Sequence, residues 1–236
     1  SLLLRQDAPR REMPQGLSML LGVVMRAPPD EGPLDTLGTF NSGLWVRSER
    51  VAFPAAFSPT LVHVAFGDLA VLSWPERFDL AFVASDGVVT RHVRTPAVPV
   101  AVTASQTAAF TDRILNGPMR SGDTPYQRPE IRREIVDIMV YPEVLPTHYR
   151  VLAAMDGRLW VERGDAPRDP LPQVAEPYSA PTTWDVFSSE GEWLTSVVLP
   201  ARFHPLEIGV SYVLGVHHDE IGVERVRVYE LMKPEQ

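Results

Sequence analysis

The chain has 236 residues, of which 44% are hydrophobic and 22% charged, with a formal net charge of −8. This balance is that of a globular chain with a sizeable core; no stretch reaches the ~18–20 apolar residues of a membrane-spanning helix. The acidic charge argues against non-specific nucleic-acid binding, and the absence of cysteine excludes disulfides, thiolate metal sites and cysteine nucleophiles.

The opening Ser1-Leu2-Leu3-Leu4 is too short for the apolar core of a signal peptide and has no initiator methionine, which suggests that an upstream segment has been removed or lost. Leu17 to Met25 reads as a strand. Glu31-Gly32 then precedes a second short run, Leu34 to Gly38, so this part reads as an incomplete unit. The clearest unit follows. Leu61–Phe66, Leu69–Trp74, Phe78–Ala84 and Val88–Arg94 are four apolar runs separated by Gly67-Asp68, Pro75-Glu76-Arg77 and the hairpin signal Ser85-Asp86-Gly87. They predict an up-and-down meander of four strands.

Residues 95–147 interrupt the pattern. Within them Ala104–Leu115 has helical spacing, with Thr103 as N-cap and Phe110, Ile114 and Leu115 on one side. Pro129–Met139 predicts a second helix, with Ile131, Ile135 and Ile138 on one stripe and Pro142 beyond its end. The meander then returns. Tyr149–Ala154 and Arg158–Glu162 match its first two strands, and Thr183–Phe187 and Trp193–Leu199 match its last two. The Pro-rich stretch from Arg163 to Pro181 falls between these pairs. A third copy reads as Leu206–Ile208, Tyr212–Val216 and Val223–Leu231, with three strands and no fourth.

A repeated unit of four antiparallel strands is the blade of a β-propeller. The expectation is therefore an all-β single domain over residues 1–236, N-terminally incomplete, with about three and a half blades and a short helical insertion at about 95–147. The 23 prolines, about twice the average share, suit many short strands ended by turns.

In such a meander, the blade-to-blade connection and the second-to-third-strand loop emerge on one face. The helical insertion and the loop from Arg163 therefore belong to the same face, which becomes the candidate binding face. His148, Arg163, His204, His217, His218 and Asp219 project there in the linear reading, together with Arg77, Asp165 and Arg168. Such a cluster has the side chains to bind a ligand or hold a divalent metal, with His217 and Asp219 as metal candidates, or to do acid–base work. The same residues also read as polar turns in solvent, and Asp219-Glu220-Ile221-Gly222 has plain turn chemistry. Trp160 and Trp184 are expected to pack between blades, and His63 and His92 to be hydrogen-bonded strand residues. Arg128, Arg132 and Arg133 would either meet an acidic ligand or line the wet side of the second helix.

Asp156-Gly157-Arg158-Leu159-Trp160-Val161 resembles the DG-x-LWV strand turn of NHL-type and related six-bladed propellers. Gly32–Gly38, Tyr212-Val213-Leu214-Gly215 and Glu220–Val226 look like the C-terminal half of bacterial six-bladed propellers. The resemblance runs from about residue 17 onward and implies six blades when complete, and export to the periplasm or cell surface. Related propellers include calcium-dependent lactonases, whose ion is held by acidic and Asn side chains in the channel. The only asparagines here, Asn41 and Asn116, lie outside the repeated first strands, so that metal set does not carry over. The functional expectation is a ligand- or protein-binding scaffold without a resident cofactor; the alternative is a metal-dependent hydrolase or lyase of the lactonase-like type using His148, His204, His217 and Asp219.

Overall fold

The computed structural model describes residues 15–27, 34–117, 125–167 and 180–232 in full, and residues 2–7 as backbone. Its strands form four antiparallel sheets, each made of strands consecutive in the chain. The first sheet holds β1 (Leu2–Asp7), β2 (Gly16–Ala27), β3 (Asp35–Arg47) and β4 (Ala52–Pro54). The second holds β5 (Val62–Phe66), β6 (Leu69–Ser73), β7 (Asp79–Val83) and β8 (Val89–Arg94). Helices α1 (Ala104–Asn116) and α2 (Pro129–Ile138) follow. The third sheet holds β9 (His148–Ala153), β10 (Leu159–Arg163), β11 (Thr182–Phe187) and β12 (Trp193–Leu199). The fourth is three-stranded, with β13 (Phe203–Ile208), β14 (Tyr212–His218) and β15 (Glu224–Glu230).

The hairpins owe their regularity to one local device. At Gly87, Gly157, Gly191 and Gly222 the glycine N–H donates to the carbonyl three residues back, and φ lies between 78° and 90°. This is a tight turn closed by a left-handed residue, reached through Asp-Gly at 86–87 and 156–157, Glu-Gly at 190–191 and Ile-Gly at 221–222. At Gly87 the requirement is double, because a Cβ there would also come within 2.7 Å of the Leu37 carbonyl oxygen.

Stacking explains why the central strands read as unbroken apolar runs. In β6, Ala70 and Leu72 pack towards the first sheet while Val71 packs towards the third. In β10, Leu159 and Val161 face the second sheet while Trp160 faces the fourth. A strand covered on both faces has no polar side to alternate with. The sheets thus stack in chain order, first on second, second on third, third on fourth. The leading strands of the last three sheets lie side by side: β5 contacts β9, β9 contacts β13, and Ala154 bridges Ile208 in parallel. Trp160 and Trp184 are buried between the third and fourth sheets, as expected.

The first sheet departs from the sequence reading. Instead of an incomplete copy, it is a four-stranded sheet whose β2 and β3 run to 12 and 13 residues, against five in β5, β6 and β7. Arg26 Nη1 donates to the Asp68 carbonyl at 2.8 Å, and Leu37 abuts Gly87. The β2–β3 hairpin is therefore laid along the second sheet, where Val24 and Leu37 join Leu61, Ala70, Leu72 and Val83. Leu2–Leu4 belong to β1, paired with Met25–Ala27. Gly32 and Pro33 lie outside the described residues.

Both helices form where expected. Thr103 accepts from the Gln106 N–H while Gln106 returns a bond to the Thr103 N–H, a capping box that starts α1. Phe110 and Ile114 of α1 and Ile131 and Ile135 of α2 are buried against Val46, Val51, Phe53 and Phe57; Leu115 and Ile138 are only partly covered. The insertion thus builds its own core on the β3–β4 end of the first sheet. Arg132 caps α1: its Nη1 donates to the carbonyls of Leu115 at 3.1 Å and Gly117 at 2.9 Å. It is consumed structurally, since a cation satisfies orphan carbonyls at a helix C-terminus.

Candidate functional site

Residues 145–147, where the insertion returns, connect three parts of the molecule. The Leu145 N–H donates to the Val100 carbonyl at 2.8 Å, closing the neck of the insertion. The Thr147 N–H donates to the Pro75 carbonyl of the second sheet at 2.7 Å. The Gly164 N–H, just past β10, donates to the Thr147 carbonyl at 3.0 Å. Contact there is so close that a Cβ on Gly164 would fall 1.6 Å from the Pro146 carbonyl oxygen. At the other end of the same sheet pair, a Cβ on Gly191 would fall 2.2 Å from Val93.

Between these two contacts the second and third sheets diverge, leaving a cleft of about 520 Å³. Its walls are the extended segment Thr95–Val100 with Phe78 on one side, and Arg163–Asp165, Asp185 and Trp193 on the other. Asp185, Ser196 and Val161 are cross-strand partners on the face of the third sheet that looks towards the second. Val161 is covered; Asp185 lies where the gap opens.

Asp185 organises the polar side of the cleft. Its Oδ2 accepts from Arg163 Nε at 2.7 Å. Its Oδ1 accepts from Arg163 Nη2 at 2.6 Å, Ser196 Oγ at 2.7 Å and Trp193 Nε1 at 3.0 Å. Burial alone would raise this carboxyl, but the bonds from Arg163, Ser196 and Trp193 outweigh it and hold the group below its usual range. Arg163 is raised in turn, chiefly by its bond to Asp185. The indole of Trp193 is locked by its N–H while the residue remains 57% exposed.

The remaining expected site residues divide between two sheets. His148 opposes Arg163 across β9–β10, yet it is wholly buried rather than displayed in solvent. Its ring packs at a tilt on Phe78, with centroids 5.3 Å apart, and Nδ1 lies 3.0 Å from Thr147 Oγ1. Because the Thr147 hydroxyl donates to the Pro75 carbonyl, the network assigns the proton to Nδ1 and leaves Nε2 buried without a partner. Burial pushes this imidazole down to about 4.

On the fourth sheet, His204 Nδ1 accepts from Arg150 Nη1 at 3.4 Å. His217 opposes Phe203, and desolvation followed by the Arg227 charge lowers its pKa. His218 is buried, with Nδ1 4.0 Å from Glu224 Oε1. Asp219 Oδ1 accepts from the N–H groups of Ile221 at 3.1 Å and Val223 at 2.9 Å, so this carboxylate closes a turn. Among the described residues no three His, Asp or Glu side chains gather as a metal site. Arg77 lies exposed in the β6–β7 turn, Asp165 adds its charge beside Arg163, and Arg168 lies outside the described residues. His92 Nδ1 donates to the Asp79 carboxylate at 2.6 Å, as a hydrogen-bonded strand histidine.

Sequence reasoning located Arg163 but passed over Asp185, Ser196, Trp193 and the Thr95–Val100 wall. One signal was available: Asp185 is a lone carboxylate in the buried strand Thr-Trp-Asp-Val-Phe, which demands a partner. No family model matches this chain, and no curated protein matches it.

Proposed function

We propose that this chain is a non-enzymatic binding scaffold of β-propeller type, extracytoplasmic, with its ligand seated in the cleft between the second and third sheets. The blade reading is supported by the repeated meanders, their face-to-face stacking and the side-by-side leading strands β5, β9 and β13. The export reading rests on the resemblance to exported six-bladed propellers.

The observation that carries the binding reading is Trp193. An exposed indole pre-set by a hydrogen bond, beside a guanidinium already oriented by a carboxylate, costs little ordering entropy when a ligand arrives. Residues 163–165, where the connection after β10 begins, and the neck of the insertion meet at this cleft, in keeping with function carried on loops held by a scaffold. Opposite charges on Arg163 and Asp185 nearly cancel, and Asp165 leaves the lining with one net negative charge, which disfavours an anion and is compatible with a neutral, hydroxyl-rich ligand such as an oligosaccharide. Its apolar face would stack on the indole, and its hydroxyls would meet Arg163 and Asp165.

Saturation-transfer NMR with a panel of neutral oligosaccharides, run on the unsubstituted chain and on Trp193→Ala, tests this reading. Transfer that disappears in the variant supports it. Transfer of equal strength in both proteins, or none in either, refutes it.

A further inference from the structure

His148 stands directly behind the wall of the cleft. Val151 and Ala153 of β9 face the second sheet, so strict alternation would turn Tyr149 that way and His148 the other. The register shift between Glu162 and Arg163 changes this. Tyr149 becomes the extra residue of a bulge, and His148 comes opposite Arg163 on the second-sheet side. There the ring packs at a tilt on Phe78, and its Nδ1 N–H donates to Thr147 Oγ1 at 3.0 Å. The Thr147 hydroxyl donates onward to the Pro75 carbonyl at 3.1 Å. The Thr147 backbone gives its N–H to Pro75 and takes the Gly164 N–H on its carbonyl. Phe78, Thr147, Arg163 and Gly164 all line the cleft, so one ring sets the spacing of both walls.

Only the neutral ring fits this place. Nε2 is buried and, among the described residues, without a partner. A proton there would create an N–H with no acceptor and a buried charge, with the Arg163 cation opposite. Neighbouring carboxylates are engaged or turned away. Asp185 is taken up by Arg163, Ser196 and Trp193, and Asp165 is exposed beyond Gly164. From the second sheet, Glu76 and Arg77 are exposed in the β6–β7 turn, and Asp79 is bound to His92 and Arg94. Arg150 and Glu162, cross-strand partners in β9 and β10, lie on the face towards the fourth sheet. Burial is the one influence that shifts the proton affinity of the ring, and it lowers it.

We propose that neutral His148 is the positioning residue of the cleft, and that its protonation loosens the Pro75–Thr147–Gly164 strut and releases the ligand. The release rests on the proposed binding in the cleft; the loosening of the strut does not. An open strut lets water reach the ring, which then regains its ordinary affinity for a proton. With 6.5 for the solvated ring and about 4 for the buried one, acidification from pH 7 to pH 5 favours the open form about twentyfold.

Amide hydrogen exchange followed by NMR, corrected for the intrinsic rate at each pH, reads the strut through the Thr147 and Gly164 N–H groups. In the unsubstituted chain both should open about twentyfold more at pH 5 than at pH 7, and at each pH more readily than the amides of the buried strand β6. His148→Asn keeps an N–H for Thr147 Oγ1 but cannot take up a proton, so its opening should change less than about twofold. Equal opening at the two pH values in the unsubstituted chain overturns the proposal. So does a folded His148→Asn that keeps the twentyfold change, or a strut that opens only together with β6. Saturation transfer to the oligosaccharide panel at both pH values reads the release. Transfer lost at pH 5 in the unsubstituted chain and retained in His148→Asn supports it, and transfer of equal strength at the two pH values refutes it. Transfer absent already at pH 7 refutes the binding reading alone, and the exchange rates still decide the strut.

Discussion

Lowering the pH from 7 to 5 should destabilise this protein through one buried ring. His148 is wholly buried with an unpartnered Nε2, and its folded-state pKa is pushed down to about 4 from an ordinary 6.5. The unfolded chain therefore binds the proton first. The stability that depends on a neutral His148 is fully present above 6.5, and it is lost as the pH falls towards 4. The full difference corresponds to about 3 kcal/mol, of which about 2 kcal/mol is lost between pH 7 and pH 5. Urea unfolding of the unsubstituted chain and of His148→Phe and His148→Gln across this interval reads the effect. Each variant is less stable at pH 7, because the bond to Thr147 and the packing on Phe78 are altered. Its stability should nevertheless fall by about 2 kcal/mol less than that of the unsubstituted chain. Parallel pH profiles would refute the argument and show that the ring is solvated or charged in the folded state.

Two further substitutions probe the walls of the cleft. Asp185→Ala leaves Arg163, Ser196 and the Trp193 N–H without their acceptor, and should cost about 2 kcal/mol in urea unfolding after allowance for the partly exposed guanidinium. A cost near zero would mean that the cluster is solvated and not pre-organised. Gly164→Ala has no room beside Pro146, so it should force residues 146–147 away from the Pro75 carbonyl and lower stability by about 2 kcal/mol or more. An unchanged thermal midpoint would show that the strut between the sheets is not rigid.

What was legible in this sequence was local. The positive-φ glycines at 87, 157, 191 and 222 of the hairpin turns, the capping box at Thr103 and the paired isoleucines of α2 each depend on neighbours a few residues away, so their spacing alone announces them. The meanders at residues 61–94 and 149–199 and the three-stranded copy after Pro205 were found for the same reason. Leu2–Leu4 and the strand β4 were missed because both are short and owe their pairing to β2 and β3.

The tertiary structure decided which side chains meet. Arg163 and Asp185 are 22 residues apart in the chain, and Pro75 and Thr147 are 72 apart; only sheet register and stacking bring them together. His148 reads in sequence as an exposed ligand at the start of a strand, but the stacking of the second sheet on the third buries it against Phe78. Hydrophobic periodicity and turn chemistry act over one turn or one hairpin, and thus determined the elements. Burial, proton affinity and the cleft arise from desolvation between sheets, which no spacing along the chain encodes.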